Sequence, residues 1–488
     1  VFKNLFQQIK HRTRGQIAKP HEVAPQGIDR EFRLLLQAYR RQLRAVAASG
    51  NPKGRLGKGR FAKRKSREII RDNQKGKRFQ LPKSLLIKSS FSEDALASGL
   101  YPKRKSEWIP ILKRRYDKKY DQLVLRNFSF IDHPQNTLDQ LAEILKFEGK
   151  AANAQLHFDD PYCVDVSAYL ALAEMWPHMS KVFKGGRMEM PIQKVVETLK
   201  LKKDLSMRLK GLENVDDVWA FPKRSRRRAG TSTSVDRYLH PQSKEKVADE
   251  FCEALDEWLA AASEDEVCLA QGGKARLASI IGELLDNAER HSHPPGKDGG
   301  WSTAAFMARR LEGDRDVYRC HMGFLSVGSS IAESLARAPI SIRAQVNKYT
   351  DRHRDCGISR DTLATLVALQ DGITSDHAAA ANQRGGIGLQ EVLELVSALG
   401  VSSGTDKGPR MTIVSGSSCI RARAPYLHGT RTGEDEPRMQ WFNSGNSPVQ
   451  PPDASFVFDL ESRFPGTIIG LTFVLSKDDL KAVLDAED

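Results

Sequence analysis

Glu283 and Asn287 lie four residues apart in a segment, Arg276–His291, whose apolar residues recur at helical spacing. Leu277, Ile280, Ile281, Leu284, Leu285 and Ala288 fall on one stripe, which predicts an amphipathic helix with that stripe in a core. Side chains four apart project together, so a carboxylate and an amide oxygen would point into whatever the helix flank faces. Such a pair can hold a hydrated Mg2+ and orient a water molecule. An ordinary surface Glu and Asn on a helix would show the same spacing. A second candidate is the run Gln383-Arg384-Gly385-Gly386-Ile387-Gly388-Leu389. Its glycines permit positive φ and close backbone approach, and a helix over Leu389–Leu399 would present its N-terminus to an anion.

Other chemistries lack their residues. There is no G-x-x-x-x-G-K-[ST] run, because Pro52 stands where the first glycine before Gly57-Lys58 should be. Gly-x-Ser-x-Gly and His-Glu-x-x-His are absent. The cysteines, Cys163, Cys252, Cys268, Cys320, Cys356 and Cys419, form no close pair, which suggests neither a zinc site nor a disulfide framework. His291 and His293 have no third ligand nearby and read as capping or packing residues.

Glu283-Leu284-Leu285-Asp286-Asn287-Ala288-Glu289-Arg290-His291-Ser292 resembles the N-box of the GHKL ATPase superfamily, which includes gyrase-type topoisomerases, MutL-type repair proteins, histidine kinases and anti-sigma-factor kinases. Downstream, Gln383–Leu389 resembles the glycine-rich second box. Gly466-Thr467 resembles the last box, and Ser415-Gly416 follows the preceding strand. The resemblance covers about residues 240–480 and implies ATP and Mg2+ as cofactors. It implies that Glu283 orients the attacking water, that Asn287 holds Mg2+, and that Arg384, Gly385, Gly386 and Gly388 belong to a lid over the triphosphate. The first glycine box departs from the pattern: Ser326-Val327-Gly328-Ser329-Ser330 stands where Asp-x-Gly-x-Gly is usual. The superfamily's Asp accepts a hydrogen bond from the adenine amino group, and Ser326 would accept one more weakly or through water. With Gly328 and Thr467, these residues make up the expected nucleotide-binding set.

The elements that must position them are helices over about Ser243–Ala262 and Lys274–His291, a helix near Ser302–Leu311, and strands near Asp316–Leu325, Met411–Val414 and Thr467–Leu475. Helices interspersed with mostly antiparallel strands suggest an α+β layer and not a Rossmann series. Upstream, a strand at Ala154–Phe158, a turn at Asp159-Asp160-Pro161, an apolar helix from Ser167 to Trp176, a helix at Ile192–Leu199 and a strand at Val218–Phe221 form a small α/β region. It is vaguely similar to the STAS-like modules that partner anti-sigma-factor kinases, and Asp165 and Ser167 lie near where such modules accept phosphate. The plain alternative is a β-α unit with a helix-capping Ser.

The chain of 488 residues is 40% hydrophobic and 28% charged, which is globular composition and excludes wholesale disorder. Its charge is uneven. Residues 1–126 hold 33 Lys and Arg against 10 Asp and Glu, a balance of +23, which leaves −8 on the remainder of a chain whose total is +15. From Asp29 to Gly50 the spacing predicts a packed helix with a basic exterior, and residues 51–78 predict a mobile basic segment. Between Tyr101 and Tyr120, Trp108 and the tyrosines interleave with basic residues. Arg60, Lys63, Arg64, Lys65, Lys103, Arg104, Lys113, Arg114 and Arg115 are the candidates for phosphate contact with nucleic acid, the aromatics being available for stacking. A solvated charged face, or an acidic protein partner, would carry the same charge. No apolar run is long enough for a membrane helix, Val1-Phe2-Lys3-Asn4 lacks the apolar core of a secretory signal, and a reducing cytoplasm is expected.

The sequence therefore predicts an α+β protein: a basic N-terminal region (1–126), helical and flexible; a small α/β, STAS-like domain (127–222); a linker (223–239); and a GHKL ATP-binding domain (240–480), a helix layer on a mixed, mostly antiparallel sheet. The function this implies is an ATP-driven conformational switch with Mg-dependent ATPase activity, in a bacterial regulatory or antiviral-defence system. It would engage nucleic acid through the basic region, and a protein partner or a second copy on lid closure. A protein Ser or His kinase and a nucleotide sensor without turnover stay open as alternatives.

Overall fold

The computed structural model describes residues 86–88, 95–102, 108–110, 122–147, 154–180, 182–207, 209, 215–227, 244–262, 268–291, 300–312, 315–373, 390–392, 394, 408–427, 429–431 and 438–475. In chain order the elements are β1 (Leu86–Lys88), α1 (Ala95–Leu100), β2 (Trp108–Pro110), β3 (Gln122–Leu125), α2 (Pro134–Lys146), β4 (Ala154–Phe158), α3 (Val166–Met179), β5 (Phe183–Arg187), α4 (Met190–Thr198), α5 (Leu201–Asp204), β6 (Val218–Arg227), α6 (Lys244–Ala262), α7 (Gln271–His291), β7 (Gly300–Glu312), β8 (Arg315–Val327), α8 (Ile331–Leu335), α9 (Ile340–Arg352), α10 (Arg360–Ala368), β9 (Arg410–Arg423) and β10 (Val457–Leu475). The protein is mixed α+β, as its alternating patterns predict.

Two compact units are present. The first comprises residues 1–124, 142–157 and 178–186. It contains the antiparallel pair β1–β2 and the bodies of three strands that form a parallel sheet in the order β3-β4-β5.

The second unit comprises residues 125–141, 158–177 and 187–488 and is built on a five-stranded sheet in the order β6-β7-β8-β10-β9. Every neighbouring pair in it is antiparallel. Because side chains alternate across a strand, the register sorts the sheet into two faces. One carries Trp301, Ala305 and Met307 of β7, Cys320, Met322 and Phe324 of β8, Ile469, Leu471 and Phe473 of β10, and Met411 and Ile413 of β9. These residues share a core with Phe251, Leu255 and Trp258 of α6, Ile280, Ile281, Leu284 and Leu285 of α7, Val346 and Tyr349 of α9, and Leu363 and Leu366 of α10. Burial of each large apolar side chain contributes about 1.5–3 kcal/mol, so this one contiguous core dominates the stability of the unit.

The opposite face carries Ala304, Phe306, His321, Gly323, Leu325, Ile468, Gly470, Thr472, Thr412 and Val414, all buried or paired with buried neighbours. Residues from the 125–141 and 158–177 segments cover it. Thr412 Oγ1 donates to the Ile131 carbonyl at 3.0 Å, Arg410 Nη1 meets Asp132 Oδ1 at 2.7 Å, and the Phe130 and Phe464 rings meet edge to face at 5.8 Å. The sheet therefore has a layer on each side.

Two expectations are corrected. The segment Ser302–Leu311 is not a helix but the interior of strand β7, paired along its length with β8 and as far as Ala308 with β6. Its Ala, Met, Leu and Arg content favours helix locally, and pairing on both edges in a buried sheet overrides that weak preference. Residues 223–227, polar enough to read as linker, continue β6 as far as the partner of Gly300. The edge position explains this, since an outermost strand tolerates Lys223, Arg224 and Ser225 where an interior one would not.

Among the described residues no helix is long and apolar enough to cross a membrane. The expected helix at 29–50, the basic segment at 51–78 and the candidates Arg60, Lys63, Arg64, Lys65, Lys103, Arg104, Lys113, Arg114 and Arg115 lie outside the described residues.

Candidate functional site

On the helix-facing side of the sheet, three strands carry apolar residues that give way to a hydroxyl at the same level. Cys320, Met322 and Phe324 lead to Ser326; Phe473, Leu471 and Ile469 lead to Thr467; Met411 and Ile413 lead to Ser415. Ser326 pairs directly with Trp301 on one side and Thr467 on the other, and Thr467 pairs with Ser415. Trp301, Ser326, Thr467 and Ser415 thus form one cross-strand row at the end of an apolar face. Thr467 and Ser326 are half-buried, whereas Ser415 is sealed.

Backbone geometry fixes this end of the sheet. Gly466 has φ +137°, and a Cβ there would lie 2.1 Å from the Ser326 carbonyl oxygen, so only glycine allows β10 to pass β8 this closely. Gly328, at φ +145°, donates its N–H to the Pro465 carbonyl at 3.1 Å. Ser415 Oγ accepts the Ile331 N–H at 2.8 Å and lies 2.7 Å from Thr467 Oγ1. Ser330 caps α8 in a reciprocal capping box with Glu333.

Helix α7 is tethered to the row. The Trp301 indole N–H donates to Glu289 at 2.9 Å. Lys274 of α7 pairs with Asp256 of α6 at 2.6 Å, and Asp286 of α7 pairs with Lys244, the first residue of α6. At about 100° per residue, Glu283 and Asn287 lie on one flank of the buried stripe and Glu289 lies about 160° round from Asn287. Since α6 packs on β6 at the sheet edge, the Glu283–Asn287 flank is turned the other way, towards the interior strands. Both side chains are half-buried, and neither makes a hydrogen bond or ion pair with another described residue. An amide oxygen and a carboxylate in that state fit a hydrated Mg2+, which takes one or two protein oxygens and completes its shell with water and phosphate oxygens.

The structure therefore brings Ser326 and Thr467 side by side, with Gly328 one residue past β8, and sets Glu283 with Asn287 one turn apart on the helix tethered beside them. Arg384, Gly385, Gly386 and Gly388 lie outside the described residues. Sequence reasoning missed Trp301 and the tethering role of Glu289. The signal available was the hydroxyl ending each apolar alternation, which becomes meaningful only once the strands are in register.

Asp165 and Ser167 are both fully buried. Asp165 Oδ1 accepts the Ser167 N–H at 2.8 Å and its hydroxyl at 2.6 Å, and Oδ2 accepts the Phe130 N–H at 2.6 Å. Burial raises the Asp165 carboxyl above its ordinary range, against the pull of these hydrogen bonds. The pair is a helix cap sealed against the sheet and not an accessible phosphate acceptor. Comparison of the chain with models of protein families, with curated proteins and with solved structures finds no match.

Proposed function

We propose that residues 240–480 bind Mg-ATP in the manner of the GHKL superfamily and that the protein works as a nucleotide-driven switch. The observation that supports this best is the placement of Ser326 opposite Thr467 at the end of the sheet to which α7, bearing Glu283 and Asn287, is tied through Trp301 and Glu289. In this reading the base lies against the Ser326–Thr467 row and the phosphates run towards α7. Asn287 would hold Mg2+, which supplies charge neutralisation at the phosphates when bound. Glu283 would orient a water for attack on the terminal phosphorus and draw its proton while the bond to the bridging oxygen breaks and ADP leaves, an effect confined to the chemical step. Arg384, Gly385, Gly386 and Gly388 would close over the triphosphate. The basic region 1–126 would contact nucleic acid phosphates, and closure would reposition it.

A nucleotide sensor without turnover is the second reading, favoured by the neutral Ser326 at the position where a carboxylate is usual. Incubation of the full chain with γ-labelled ATP separates the readings. Label released as free phosphate is the expected result; label on the protein would make it a kinase, and binding without release would make it a sensor.

A further inference from the structure

The hydroxyl row can run in either direction. Ser415 Oγ accepts the Ile331 N–H at 2.8 Å, so one of its lone pairs is committed. Its single proton has two described acceptors, Thr467 Oγ1 at 2.7 Å and the Gly466 carbonyl at 3.4 Å. The first is an ordinary hydroxyl distance and the second lies well beyond it. Ser415 can therefore donate to Thr467, or accept from Thr467 on its second lone pair and donate to the Gly466 carbonyl. In the first arrangement the Thr467 proton is left for a ligand, and in the second a Thr467 lone pair is. Beside it, Ser326 has a hydroxyl that neither donates to nor accepts from another described residue and can rotate to do either. The half-buried end of the row thus offers two hydroxyls that can each donate or accept, with no carboxylate in the row to demand a donor from the ligand.

We propose that this row makes the site indifferent between purine bases, so that Mg-ATP and Mg-GTP bind alike. The inference rests on the nucleotide-binding reading above. With Ser326 at the position-6 group of the ring and Thr467 at N1, each hydroxyl meets whichever polarity the base presents. Adenine supplies N1 as acceptor beside its amino donor; guanine supplies O6 as acceptor beside its N1–H donor. Both satisfy the row without leaving a buried hydroxyl unpaired, and it is unpaired buried groups that make a site reject the wrong base. Ser326 is thereby a specificity-determining residue, and Ser415 a positioning residue that acts through Thr467.

The test is calorimetric titration of the full chain with non-hydrolysable ATP and GTP analogues in Mg2+, repeated on Ser326→Asp and Thr467→Val. The native chain is expected to bind the two analogues within about threefold of one another. Ser326→Asp supplies an acceptor-only group and should favour the ATP analogue by about tenfold or more, because charge-assisted hydrogen bonds are roughly twice as strong and a carboxylate cannot donate to guanine O6. Thr467→Val should weaken both by about fivefold, the loss of one hydrogen bond. Thermal melting checks that each variant is folded. A native preference of more than tenfold for either purine, or Thr467→Val binding unchanged, would overturn the inference while leaving nucleotide binding intact. Binding of neither analogue would remove the nucleotide-binding reading itself, and this one with it.

Discussion

Gly323 of β8 lies directly opposite Gly470 of β10, and Ser167 sits over the gap left by their two missing side chains. A Cβ on Gly323 would lie 2.9 Å from the Ser167 Cα and backbone nitrogen, and one on Gly470 would lie 2.9 Å from Ser167 Oγ and from Ile131 Cγ1. The glycine pair is what lets the Asp165 cap and the start of α3 lie flat on the sheet.

Substitution at the two positions should differ in cost. Gly323→Ala meets backbone, which cannot step aside, and should destabilise by about 2–3 kcal/mol; Gly470→Ala meets buried side-chain atoms, Ile131 Cγ1 and the Ser167 hydroxyl bonded to Asp165, which give a little more than backbone does, and should cost about 1–2 kcal/mol, both within the range for overpacking. Urea unfolding of the two variants measures this. Equal losses, or a larger one for Gly470→Ala, would contradict the seat described.

The layer over that face should make residues 240–488 inadequate alone. Such a fragment lacks β6, which pairs with β7, and leaves Phe306, Leu325 and Ile468 uncovered. It should bind a hydrophobic dye and melt without cooperativity, whereas the full chain melts sharply. A cooperative, dye-silent fragment would show the covering layer to be dispensable.

His321 should make the protein acid-sensitive. Its ring is stacked on Phe306 at 4.8 Å, neither ring nitrogen has a partner among the described residues, and burial, with Arg310, Arg319 and Arg410 nearby, holds it well below the ordinary histidine range. The unfolded chain then binds a proton that the folded chain refuses. Stability is fully present above the unfolded value near 6.5 and falls by up to about 1.4 kcal/mol per pH unit below it, until the folded value is reached. Denaturant midpoints between pH 7.5 and 5 should fall, and His321→Leu should remove most of that slope. A slope unchanged in the variant would assign the effect to other groups.

Much of the local structure was legible in advance. The stripe from Leu277 to Ala288 announced α7, and β4 begins and ends where its alternation does. What was not legible depends on partners remote in sequence. Ser302–Leu311 has a helical composition, and only β6 and β8 on its two edges make it a strand. Arg224 and Ser225 look like linker until β7 gives them a register. The polar contacts behind the sheet join Asp132 to Arg410 and Ile131 to Thr412, and no local window contains both members of either pair. In the candidate site, Glu283 and Asn287 could be found by spacing alone. The meaning of Ser326, Thr467 and Ser415 required the register that sets them in a row.

Nucleotide binding at α7 is tested most directly by calorimetric titration of a non-hydrolysable ATP analogue, with Mg2+, into the full chain and into Asn287→Ala and Glu283→Ala. The native chain should bind saturably, with affinity lost on chelating Mg2+. Asn287→Ala should lose at least about tenfold, the loss of one strong metal contact, and Glu283→Ala should bind as the native chain does while failing to turn over ATP. Unchanged, metal-independent binding in Asn287→Ala would contradict the assignment of the site to this helix.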